Sequence, residues 1–239
     1  MMNDATTATR RLAGLPEPEP LHPDLAAYLV RRPGRLPSLE HPLIVQAPYI
    51  PPLASYVNGL YDSLSKRADA LLESRAYDRW LEMHSRTHQL GVLLERGTRM
   101  DHGTWWELLA SLFRRELPWF DDEAARWSRA IGADRPSRRR FMTNSEGAAF
   151  DQLPDLVDVW RAEPTDRPGS GFSFFRDESG ARTFAATARN RLELQEGTFS
   201  LFTARLNKAD VIALCNSRGM TELLAPPAKA VGEAPIGTC

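Results

Sequence analysis

The sequence predicts an α+β protein in which a helical region leads into short strands gathered around one helix, and three observations carry that expectation. From Ala54 to Gly97 apolar residues recur at spacings of three and four: Tyr56, Leu60, Leu64, Ala68 and Leu71 form one stripe, and Trp80, Leu81, His84, His88 and Val92 a second. In "LVDVWRAEP" the period changes to two, setting Leu156, Asp158 and Trp160 against Val157, Val159 and Arg161, as in a strand. "GFSFF" and "TFSLFTARL" have the same extended character, and "DESGARTFAATARNRL" between them turns helical.

Taken in order, residues 1–50 read as a proline-rich, largely extended or disordered arm, with a short helix expected from Asp24 to Arg32. Residues 51–136 read as the helical region. One long helix or a helical hairpin runs to Gly97, and a further helix covers "GTWWELLASLFRREL" before Pro118. Another covers "DDEAARWSRAIG", with acids in its first turn and Gly132 past its end. Trp105, Trp106, Trp119 and Trp127 supply much of the packing expected there. Residues 137–225 form the α+β part, with "KADVIALC" and "MTELLA" following the "TFSLFTARL" strand, and residues 226–239 read as a flexible tail.

Composition narrows the function classes. The chain has 239 residues, 42% of them apolar and 26% charged, which suits a globular core. A net charge of −1 recruits neither nucleic acid nor an anionic membrane. The cysteines, Cys215 and Cys239, make no disulfide framework, so a reducing cytoplasm is the expected compartment. No stretch approaches the ~18 apolar residues that a spanning helix requires, so no membrane partner is expected.

Several motifs are weak on their own. His84 and His88 share a helix face, but Ser85 stands where a zinc-protease signature needs glutamate, so no metal site is expected. Arg138, Arg139 and Arg140 together suit either a solvated basic patch or a phosphate clamp. "RPGSGF" reads as a turn between strands, and Cys215 as a packed thiol.

Five segments acquire meaning from their succession. "WRA", "GFSFF", "SGARTFA", "NKADVIAL" and "SRGMTEL" follow one another over roughly residues 140–225. This order resembles the mono-ADP-ribosyltransferase-like family of phage and bacterial proteins, of the Arg-Ser-Glu type. Its members carry a Tyr-Arg-Gly strand, a Gly-(Phe/Ile)-Ser-Trp-Thr strand, an Arg-x-x-Ala-x-x-Phe-Ala helix, a Lys-Asp-Val segment and an Arg-Gly-Glu-x-Glu strand.

The resemblance implies a small split, strongly bent β-sandwich with NAD, as substrate, in the cleft between two sheets. The bond from nicotinamide to ribose would break through an oxocarbenium-like state, which a neighbouring carboxylate stabilises. By resemblance Glu222 is that catalytic carboxylate. Arg161 would hold the diphosphate, Ser173 would position the nicotinamide-ribose side, and Phe174, Phe175 or Phe172 would stack on the nicotinamide ring. The chain departs from the pattern at Ala162, usually glycine, and at Phe174 and Phe175, in place of Trp-Thr. Met220 replaces the first glutamate of Glu-x-Glu, the acid expected to orient an arginine acceptor, and a methionine can neither orient nor deprotonate one. The expectation is therefore transfer of ADP-ribose to a non-arginine acceptor, or hydrolysis of NAD. The alternative is a non-enzymatic, phage-type protein that binds and inhibits a host factor.

Overall fold

The computed structural model describes residues 19–44, 47–115, 122–166, 171–193, 195, 197–217, 219–226 and 230–238. The protein is mixed α+β, and it divides into two compact units, Met1–Val92 and Leu93–Cys239. Among the described residues no helix is long and apolar enough to cross a membrane.

The first unit opens with a short helix, α1 (Pro23–Ala26), shorter than the sequence suggests. The chain then extends, and β1 (Leu29–Val30), β2 (Ser38–Leu39) and β3 (Ala47–Pro48) form an antiparallel sheet in the order β1-β2-β3. Residues 19–44 and 47–50 are thus more ordered than the proline content implies, because an amphipathic helix offers them a surface. That helix is α2 (Ala54–Glu73), entered through a turn with proline at its first position. Its Asn58 side chain accepts the His22 N–H at 2.8 Å and donates to the Pro20 carbonyl at 3.0 Å. Tyr61 of α2 donates to Asp24 at 2.8 Å, and Leu25, Leu39 and Ile44 are buried with Val57, Tyr61 and Leu64 packed against them. The expected long helix or hairpin is instead three pieces: α2, α3 (Tyr77–Glu82) and α4 (Arg86–Arg96). The first break falls at Arg75, whose φ of 57° cannot continue a right-handed helix.

The second unit begins with α5 (His102–Arg115) and α6 (Asp122–Ile131), close to their sequence-predicted bounds. An aromatic chain forms their core. Trp105 stands edge-on to Trp106 at 4.8 Å, Trp106 to Phe141 at 6.1 Å, and Phe113 to Trp127 at 5.6 Å. Trp119, also expected to pack, lies outside the described residues. A 3-10 turn, Arg138–Phe141, then leads into α7 (Asn144–Asp151).

A six-stranded antiparallel sheet follows, in the order β7-β8-β5-β4-β6-β9. Its strands are β4 (Leu156–Pro164), β5 (Ser173–Phe175), β6 (Phe199–Asn207), β7 (Ala213–Ser217), β8 (Met220–Leu224) and β9 (Val231–Thr238). Helix α8 (Glu178–Leu192) joins β5 to β6, and the Asp177 side chain accepts the Gly180 N–H at its start. Alternation sends the two faces of the sheet into two cores. Val157, Val159, Phe174, Ala204, Leu206, Leu214 and Leu223 share one. Ala162, Phe175, Phe199, Leu201 and Met220 pack with Ala181, Phe184, Ala185 and Ala188 of α8 in the other. Two expectations change here. The segment read as a flexible tail contains β9, which pairs along β6 from Arg205↔Val231 to Ser200↔Thr238. Its Pro235 is tolerable because β9 is an edge strand. The division between units falls at Val92/Leu93 rather than at residue 136, because α5 is joined to the sheet-bearing part through the Arg138–Phe141 turn.

Candidate functional site

Strand pairing is dense everywhere except in the middle of the sheet. Strands β4 and β6 match over nine residue pairs, Leu156↔Asn207 to Pro164↔Phe199. Strands β4 and β5 share one, Trp160↔Phe175. Among the described residues, the three-stranded halves β7-β8-β5 and β4-β6-β9 are thus joined by a single registered strand pair. Because the strands are antiparallel, Arg161–Pro164 and Gly171–Phe174 lie on the same side of that point, where the ladder is not continued.

Side chains bridge this seam. Arg161 and Glu163 follow each other on one face of β4, since residues two apart share a face. Their Nη2 and Oε2 are 3.1 Å apart, with 2% and 0% of the side chains exposed. The other Glu163 oxygen accepts the Gly171 N–H at 2.9 Å, and Arg161 Nη1 makes a long bond, 3.5 Å, to the Gly171 carbonyl. The guanidinium also lies over Phe174, 5.3 Å from the ring centroid. Gly171 has no side chain to keep the carboxylate away: a Cβ there would stand 3.2 Å from Glu163 Oε1.

Ser173 and Glu222 occupy the opposite face. Phe175 pairs with Glu222, Ser173 pairs with Leu224, and Glu222 pairs in turn with Cys215. One transverse row thus runs Thr203, Trp160, Phe175, Glu222, Cys215 across β6, β4, β5, β8 and β7. Phe175 lies 5.2 Å from Phe184 of α8, and Glu222 is completely buried.

The structure therefore brings Ser173, Phe175 and Glu222 onto one face on adjacent strands. It places Arg161 and Phe174 together on the other face. All five side chains are buried. Phe172, the third aromatic residue considered for stacking, is buried 6.4 Å from Phe113. Sequence reasoning missed Glu163, although an acid two residues beyond a strand arginine is a readable signal. It also missed the position of Trp160 in the row.

A second polar centre lies off the free edge of β7. Glu146 is 3% exposed; its carboxylate receives three bonds and its backbone donates a fourth. Thr143 N–H and Arg114 Nη2 each donate to Oε2 at 2.7 Å, Asn216 N–H donates to Oε1 at 2.8 Å, and the Glu146 N–H donates to Thr143 Oγ1 at 3.2 Å. Burial opposes ionisation, but the Thr143 and Asn216 N–H groups and Arg114 outweigh it and hold the carboxyl below its usual range. In the first unit, His41 is 4.7 Å from Tyr28 and 5.1 Å from Tyr61. Burial, then the charges of His88 and His84, lower its pKa to about 4 against the opposing pull of Asp24. His84 bonds the Trp80 carbonyl and His88 the Ser85 hydroxyl. Among the described residues no group of three or more His, Cys, Asp or Glu side chains could hold a metal ion.

No family model, no curated protein and no solved structure matches the chain.

Proposed function

We propose that the sheet-bearing unit is an NAD-binding domain of ADP-ribosyltransferase type, which transfers ADP-ribose to a non-arginine acceptor or hydrolyses NAD. The observation that carries this reading is the seam: two three-stranded halves meeting at Trp160↔Phe175, with Arg161 and Ser173 beyond it and Glu222 on the next strand. A split sheet is what the ordered motifs imply, and the seam is where a ligand would enter between the halves.

Each residue then has a task. Glu222 stabilises the positive charge that develops on the ribose as the nicotinamide bond breaks, and its burial strengthens that interaction. Ser173, on the same face, orients the nicotinamide ribose. Arg161 holds the diphosphate, and for this its guanidinium exchanges Glu163 for phosphate oxygens, one charge-assisted pair for another. Met220, two residues from Glu222 on the same face, packs in the α8 core and offers no proton acceptor. That supports a non-arginine acceptor or water.

Calorimetry with NAD on the full chain tests the binding, and release of free nicotinamide tests the chemistry. Binding by the wild type, with release lost in Glu222→Gln and binding retained, is the expected result. No binding at millimolar NAD would remove the reading. Binding without release in the wild type would favour a non-enzymatic nucleotide-binding protein.

A further inference from the structure

The arginines around the Arg138–Phe141 turn have no part in the site above. A cavity of about 620 Å³ opens beside this turn. It is lined by Glu107 and Arg114 of α5, Arg139 and Arg140 of the turn, and Thr143 and Asn144 at the start of α7. Its volume lies within the range of small-molecule sites and exceeds what a lone phosphate fills.

The three guanidiniums are placed by neighbours that leave them room. Arg139 lies against Gly147 of α7: a Cβ there would come within 2.6 Å of Arg139 Nε and push the side chain away. From this seat Arg139 reaches both carboxylate oxygens of Asp151, at 2.6 and 2.7 Å. Arg140 passes over Gly103 of α5, its Cγ 3.6 Å from where a Cβ would be, and reaches Glu107 at 3.2 Å. Arg114 is fixed from behind by Glu146 and the Phe141 carbonyl.

The carboxylates differ in how firmly they hold. Glu146 is buried and stays with Arg114. Asp151 and Glu107 are exposed, 58% and 53%, so their ion pairs are water-screened and easily exchanged. Two pre-positioned arginine forks can therefore turn to an incoming anion, while Arg114 stays paired with Glu146. Forked donors match phosphate oxygens two at a time.

We propose that this cavity binds the phosphate groups of a phosphorylated small molecule of nucleotide size, Arg139 and Arg140 taking the oxygens beside the wall that Arg114 helps to form. The site is separate from the seam and does not depend on the NAD reading.

Calorimetric titration of the full chain with inorganic pyrophosphate, then with ADP, tests it at low and high salt. Saturable binding is expected, tighter for ADP and weaker at high salt. Arg139→Ala/Arg140→Ala should lose about tenfold or more in affinity. Arg139→Lys/Arg140→Lys, which keeps the charge but not the fork, should fall between them and serves if the alanine protein does not fold. Because Arg161 could also take a diphosphate, it is the arginine substitutions that assign the site. Absent binding, or binding that the substitutions leave unchanged, would overturn the proposal. Pyrophosphate binding without ADP binding would overturn the assignment to a nucleotide-sized ligand.

Discussion

Replacing Glu163 by glutamine probes the seam directly. The two side chains are isosteric, and the glutamine carbonyl can still accept the Gly171 N–H now bonded at 2.9 Å. What disappears is the negative charge 3.1 Å from Arg161 Nη2, between groups that are 0% and 2% exposed. Removing one member of such a buried pair costs about 3–5 kcal/mol, against about 0–1 kcal/mol for an exposed one. The contact of the guanidinium with Phe174 is common to both proteins and offsets nothing. A loss of about 3–5 kcal/mol should therefore appear in urea unfolding as a lower midpoint at unchanged slope. NAD adds a second reading. If its diphosphate takes the place of the lost carboxylate, the variant should bind NAD more tightly than the wild type. At one hundred times its dissociation constant the ligand returns about 2.7 kcal/mol to the folded state. A loss below about 1 kcal/mol would refute the buried pair. Equal NAD affinity in both proteins would refute the exchange.

Two predictions concern pH. Glu146 is held below the ordinary carboxylate range, so the stability it contributes is complete above its unfolded value of 4.5 and is lost as pH falls through its lower folded value. Glu146→Gln should cost about 3 kcal/mol at neutral pH, by parting Arg114 from its carboxylate. It should also flatten the acid limb of a stability-versus-pH curve, and an unaltered acid limb would count against the assignment. His41 acts at higher pH. Its folded state favours the neutral ring, so its contribution is full above 6.5 and declines as pH falls toward about 4. Allowing for partial solvent access, the loss is on the order of 1–2 kcal/mol. His41→Gln should remove that slope between pH 6.5 and 4 in thermal melts.

The secondary structure was legible where one signal was strong. Helix α5 was readable from its apolar pattern and the Pro118 beyond it, and β4 and β6 from alternation. Helix α7 is not predicted from its pattern, although Thr143 and Glu146 stand at capping-box spacing, because eight residues carry little apolar periodicity. Strand β9 was hidden by its proline and glycines, which an edge strand accepts only because a partner such as β6 is already there. At the candidate site, the residue types and their order could be read, and the faces could not. Arg161 and Ser173 sit on different strands, so which side of the sheet each takes depends on register. That register was fixed by the Trp160↔Phe175 pair. Glu163 stood two residues from Arg161 in plain view, but its role depends on Gly171, a contact between distant parts of the chain.

The seam also divides labour between backbone and side chains. Within each half, the ladders supply cohesion. Between the halves it comes from side chains, because both cores draw residues from both sides: Val157 and Leu206 with Phe174 and Leu223 in one, Ala162 and Leu201 with Phe175 and Met220 in the other. The two ladders can accordingly open as separate cooperative units, with protected amides inside each and weaker protection along the parting. Substitutions that thin either core would then uncouple the halves before they unravelled a strand.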